Sequence, residues 1–121
     1  GDVLKIVVYD IPPSNNKFIG RNARWQYQDE KQRWHWLIKA KIKERPKNPF
    51  EKAEITIHYY FKDKRKRDPD NYSGKMILDP LVKEKIIIDD NFSVITLILK
   101  AGYDKENPRT EIEIKEVAGD D

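Results

Sequence analysis

Apolar and polar positions along the chain change period in a way that predicts alternating strands and helices. Residues 3–9 (VLKIVVY) are β-branched and apolar, are bounded by Pro12-Pro13, and predict a first, mostly buried strand. IPPSNNKFIGRN (11–22) is loop chemistry: consecutive prolines donate no ladder bonds and asparagine tolerates left-handed geometry. Loops this long in small domains tend to be functional. Over 27–44 the period lengthens, with Trp34, Leu37, Ile38 and Ile42 at i, i+3, i+4 and i+8 on one helical stripe. Asp29 and Glu30 near its start and Lys41 and Lys43 near its end match the helix dipole, and RPKNPF (45–50) stops it. In residues 51–61, Ile55, Ile57 and Tyr59 face one way and Thr56, His58 and Tyr60 the other, as in a strand.

Asp70 is placed to cap a second helix that begins near Asn71 and carries Met76, Ile77, Leu78, Leu81 and Val82. Pro80 falls inside it. A proline there removes one backbone bond and clashes with the preceding turn, at a cost of roughly 3 kcal/mol, so the sequence predicts a kink or a fresh turn with Asp79 as its cap. Residues 93–100 (SVITLILK) and 110–117 (TEIEIKEV) are two further strands joined by a hairpin-like loop, with Ile112 and Ile114 facing the core. The order β–α–β–α–β–β predicts a single α+β domain over 1–121, a mixed sheet flanked by two main helices.

A chain of 121 residues suits one domain, and three Trp, six Tyr and four Phe argue for a packed core despite 37% charged residues. With no cysteine, disulfides, thiolate metal sites and thiol nucleophiles are excluded. No apolar run approaches the ~20 residues of a membrane span and no signal-peptide pattern opens the sequence, so a cytoplasmic protein without membrane partners is expected. The net charge of +3 hides an asymmetry. Residues 111–121 hold five acids and one lysine, which leaves 23 basic and 16 acidic side chains, a net of +7, in residues 1–110. Such a balance suits a nucleic acid or another anionic surface.

The strongest chemistry lies at KDKRKRDPDN (62–71), where a basic run meets Asp68 and Asp70; Asp89-Asp90 follow beyond the second helix. If the Ile86–Ile88 segment folds back, these acids converge. Like charges at close range need a cation, and oxygen ligands without cysteine select a hard one, Mg²⁺ or Mn²⁺. The basic run would then hold phosphates beside the metal. Structural alternatives stand beside this reading: a DxD turn also serves as a cap with an Asx-turn, a DD pair as a solvated turn, and a basic run as a solvated loop. Tyr72 and Ser73 break the calcium-loop pattern, and His35 and His58 are not at metal spacing. Trp34 and Trp36 read as core and partly exposed packing.

PPSNNKFIGRN (12–22), RKRDPDN (65–71), the lysine after it, Asp79 and the DD pair at 89–90 together resemble the RusA family of Holliday junction resolvases, small endonucleases of bacteria and their phages, over nearly the whole chain. The resemblance implies a homodimer that cuts four-way DNA junctions symmetrically with Mg²⁺, Mn²⁺ being a substitute. By position, it makes Asp68, Asp70 and Asp90 the essential acids, Asp89 their neighbour in the metal set, and Lys75 the catalytic lysine. Here the sequence departs by one residue: Gly74 stands where the lysine usually falls, so Lys75 reaches the site only if the insertion is absorbed before the helix. Lys17, Arg21, Arg24, Lys64, Arg65, Lys66, Arg67 and Asn71 are the expected DNA contacts. A two-fold dimer would match the near two-fold symmetry of a junction, and Trp25, Trp34 and Trp36 are open to a role at its contact. The expected function is junction resolution in recombination and repair. A DNA-binding protein of the same fold without catalysis, and a domain that binds an acidic protein partner, are the alternatives.

Overall fold

A computed structural model of the chain describes residues 2–118. The strands are β1 (Val3–Val8), β2 (Ala53–Phe61), β3 (Ile95–Tyr103) and β4 (Arg109–Glu116), and the helices are α1 (Ala23–Lys41) and α2 (Lys75–Lys83). They form one four-stranded sheet in the order β1-β4-β2-β3. β4 is antiparallel to both β1 and β2, whereas β2 and β3 run parallel, so the sheet is mixed as expected. The order β–α–β–α–β–β is also as expected, but β3 and β4 do not form the expected hairpin: they flank β2 on opposite sides.

One face of the sheet is buried. Ile55 and Ile57 are wholly enclosed and Tyr59 nearly so, while Thr56, His58 and Tyr60 on the other face stay half-buried. β1 is an edge strand whose residues alternate between exposed or half-buried and buried, and so is enclosed on one side only. α1 lays Trp34 and Ile38 into the core; α2 lays Met76, Ile77, Leu78, Pro80 and Leu81 there. Each such large apolar side chain contributes about 1.5–3 kcal/mol on burial. Trp34 is 0% exposed and cannot reach a dimer surface, whereas Trp25 and Trp36 are exposed.

The two helices run side by side, cross-linked by polar pairs. Lys31 meets Asp79 at 3.1 Å, and His35 Nε2 meets Glu84 Oε2 at 2.7 Å. Arg45 reaches the same glutamate, at 2.9 Å from its other oxygen.

β1, β2 and β4 depart from the expected bounds by one or two residues, and three elements differ in ways that have a physical cause. α1 spans 23–41, not 27–44, because good helix formers fill its first turn and Ile42 already has extended geometry at φ −72° and ψ 114°. α2 starts at Lys75 and runs through Pro80, which removes only one bond from a nine-residue helix and buries its ring; no new helix begins at Asp79. β3 starts later and ends later, because Ser93 is held in a turn by the Asn91 side chain.

Candidate active site and nucleic-acid interface

The loop after β1 and the loop after β2 meet. Each contains a single turn of 3-10 helix, Asn15–Lys17 in the first and Pro69–Asn71 in the second. Ser14 shapes the first turn by accepting the Asn16 backbone N–H at 3.2 Å. Asn15 then donates its side-chain amide to the Asp70 carbonyl at 2.8 Å and approaches the Ser73 hydroxyl at 3.3 Å. The PPSNN and DPDN motifs, remote in sequence, are thus one structure.

Neither acid of the DPDN turn acts as a helix cap. Asp68 stands at the cap position of the 3-10 turn without a side-chain cap bond, and Asp70 lies inside that turn. The residue capping α2 is Gly74, so the capping role expected of Asp70 is not what the fold uses. Both carboxylates are exposed, and among the described residues neither has a side-chain hydrogen bond or ion pair.

Gly74 stands immediately before α2. Its φ of 84° lies in the left-handed region, and a Cβ there would stand 2.6 Å from Ile57 Cδ1. Only glycine fits both demands. Lys75 is thereby the first residue of α2, its ammonium 5.7 Å from the centre of the Tyr27 ring. The Tyr27 hydroxyl is itself buried without a partner.

The second acid pair occupies a different place. Ile86 and Ile88 do fold back, but onto Phe50, with Phe50 N–H donating to the Ile86 carbonyl at 2.8 Å and Ile88 N–H to the Phe50 carbonyl at 3.1 Å. This ties Asp89 and Asp90 toward the start of β2, whereas Asp68 and Asp70 follow its end. Asp89 is engaged in its own turn, accepting the Asp90 N–H at 2.8 Å and the Asn91 amide at 3.1 Å. Asp90 is exposed, yet its carboxyl is pushed above the ordinary range, first by partial loss of water, then by Asp89 and the Asp79 charge. Asp79, expected as a cap, instead lies within α2 and pairs with Lys31. Lys31 had no signal in the sequence beyond being one polar residue on a helix.

Among the described residues no three His, Cys, Asp or Glu side chains stand together so as to hold a metal ion. The expected convergence of Asp68, Asp70, Asp89 and Asp90 is therefore not formed within one chain. Asp68 and Asp70 provide unpaired oxygen donors suited to a hard cation, but not a complete cage.

The basic run is organised and not simply solvated. Asp63 accepts the Arg65 backbone N–H at 3.0 Å and pairs with Arg67 at 2.8 Å, which holds its carboxyl down to about 2. Arg67 donates to the carbonyls of Asp63 and Arg65 and lies over the Phe61 ring at 4.1 Å. Lys64 lies 5.0 Å from the centre of the Tyr103 ring. Lys66 points to no protein partner among the described residues. Lys17, Arg21 and Arg24 are exposed on the neighbouring loop and the first turn of α1; Asn71 is half-buried in the DPDN turn.

A small α+β domain in which a basic loop, an unpaired acid pair and a lysine at a helix start are drawn together has the makings of a nucleic-acid-processing protein. The family model of endodeoxyribonuclease RusA matches residues 10–115, and the chain belongs to that family, whose endonucleases resolve Holliday junctions. No curated protein matches the chain significantly. No described helix is long and apolar enough to cross a membrane.

Proposed function

We propose that the protein is a metal-dependent, structure-selective endodeoxyribonuclease that resolves four-way junctions by paired symmetric nicks in recombination and repair, acting as a homodimer in the cytoplasm. The observation that carries this reading is the Asn15–Asp70 contact: it joins the two loops that distinguish the family and leaves the Asp68 and Asp70 carboxylates unpaired. Lys75, at the head of α2, is the cation assigned to steady charge on the phosphate. Lys17, Arg21, Arg24, Lys64, Arg65, Lys66, Arg67 and Asn71 are assigned to the DNA. Contacts to phosphates give affinity and salt dependence with little sequence information.

The oxygen-only character of Asp68 and Asp70 supports Mg²⁺, with Mn²⁺ as substitute, and Asp89 and Asp90 are assigned to the same metal set. When bound, such an ion polarises the phosphate and activates water. One chain does not by itself assemble that set among its described residues. A second reading is a junction-binding protein of this fold that does not cut, and the feature that favours it is Gly74 standing where the resemblance places the catalytic lysine.

A denaturing-gel assay decides between them, using a synthetic four-way junction with Mg²⁺ or EDTA and the Asp70→Asn variant in parallel. Symmetric paired nicks that need both metal and Asp70 support the resolvase reading, with Asp70→Asn still binding junction as well as or better than the parent. Uncut DNA that is still shifted on a native gel supports the second reading. Loss of binding together with cleavage would make Asp70 structural.

A further inference from the structure

Asp68 also borders a space for which the reading above has no use. A cavity of about 60 Å³ lies between the rings of Tyr59, Phe61 and Tyr72, with Asp68 and Arg67 in its lining. It shares Phe61, Arg67 and Ala101 with a wider cleft of about 290 Å³ that reaches Lys64 and Tyr103. β3 forms one side of both spaces and is the edge of the sheet.

The chemistry of the cleft is aromatic and cationic together. Phe61 meets Tyr72 edge-on at 5.1 Å, and Tyr103 is 47% exposed. Four cationic side chains and two carboxylates line the two spaces, and one of those carboxylates, Asp63, is already held by Arg65 and Arg67. Arg67 is the decisive group. Its N–H groups are engaged with the Asp63 and Arg65 carbonyls and the Asp63 carboxylate, one face rests on Phe61, and its side chain is only 18% exposed. A guanidinium fixed in this way is poorly placed to fork onto a phosphate; what it offers is a flat face, and planar cations stack well on bases. Lys64, Arg65 and Lys100 remain on the lining to attract phosphates.

We infer that the cleft takes one unpaired nucleotide of the strand held at Asp68 and Asp70, its base flat against Arg67 and Tyr103 and its phosphates on Lys64 and Lys100. The inference rests on the junction-cutting reading. A base within a duplex stack cannot enter a space between side chains; one must leave the stack, and that costs least where pairing is already disturbed, as at the exchange point of a junction. The cleft would then supply a preference for the nucleotide beside the cut, which phosphate contacts alone do not provide.

The test places 2-aminopurine at each position around the cut in a four-way junction. Fluorescence is followed on binding in EDTA, with the parent protein and with Tyr103→Ala, Tyr103→Phe and Arg67→Lys, each checked for fold by circular dichroism and for association state by sedimentation. The expected result is a response at one position in the parent, retained in Tyr103→Phe and lost in Tyr103→Ala. Binding of a short single strand should weaken about tenfold in Tyr103→Ala, the effect of one lost base–aromatic stack. A junction that shifts on a native gel with no responding position, or with the same response in Tyr103→Ala, overturns the inference alone. Dissociation of a dimer by Tyr103→Ala overturns it too and makes the cleft a contact between two copies. A parent protein that shifts no junction removes the reading on which the inference stands, and the inference with it.

Discussion

Asn15, in the loop after β1, donates its side-chain amide to the backbone carbonyl of Asp70 at 2.8 Å, joining positions 55 residues apart. The bond fixes the backbone of the acid turn and leaves the acid's side chain unencumbered. A residue that holds a turn through its main chain sets where a carboxylate stands without competing for it.

Asn15→Ala removes this bond and the contact with Ser73. The site is exposed, so the stability loss should be small, about 0.5–1.5 kcal/mol by thermal or urea unfolding. Cleavage should fall further than that, by about ten- to a hundredfold, because small displacements of positioned groups are costly to rate. Equal losses of activity and folded population would instead make Asn15 a stability residue only.

Gly74→Ala introduces a side chain at φ 84° and places its Cβ 2.6 Å from Ile57 Cδ1. The left-handed conformation costs about 1–2 kcal/mol and overpacking about 1–3 kcal/mol, so a loss of about 3 kcal/mol is expected in a urea titration. A neutral result would show that the turn before α2 can be rebuilt, and with it the placement of Lys75.

The parts of this fold that were legible in the sequence are those governed by local period. Alternation in β2 put Ile55, Ile57 and Tyr59 inside, and the 3.6-residue stripe put Trp34 and Ile38 against the core. What escaped depends on contacts across the fold. Nothing local tells that Pro80 will be carried by burial inside α2, or that Ile86 and Ile88 return to Phe50. That return decides where Asp89 and Asp90 stand, so spacing alone overstated how closely the acids gather in one chain. Gly74 was the reverse case: the glycine ahead of Lys75 was visible in the sequence, but its left-handed geometry was not.

Glu84 links α1, α2 and the segment after α1, and its side chain is only 12% exposed. Its hydrogen bond to His35, and then that to Arg45, hold its carboxyl below the ordinary range. A depressed folded-state value contributes stability that is fully present above the unfolded value near 4.3 and is lost as pH falls through the folded one. Thermal midpoints should therefore drop as pH is lowered from 5 toward 3. Glu84→Gln should cost about 1.5–3 kcal/mol at pH 7, since bonds to a charged acceptor are lost, and should flatten that acid limb. Asp104 and Glu111, held low by Arg109, leave part of the limb in place. An acid limb identical in Glu84→Gln and the parent would show that Glu84 does not couple stability to pH.

Lys66 and Arg67 are adjacent, both basic, and differently employed. Lys66 is exposed without a protein partner among the described residues, whereas Arg67 is locked onto Phe61, Asp63 and the Arg65 carbonyl. Lys66→Ala should leave the unfolding midpoint unchanged, weaken junction binding, and reduce the slope of log affinity against log salt by about 1, the signature of one lost phosphate contact. Arg67→Ala should act first on the protein, leaving Asp63 to Arg65 alone and uncovering Phe61, with a lower thermal midpoint and little change in salt slope. Titrations of a fluorescent junction over a range of KCl concentrations, paired with melting curves, separate the two. A salt slope that falls by one in Arg67→Ala and not in Lys66→Ala would reverse the assignment and make the buried-facing arginine the phosphate contact.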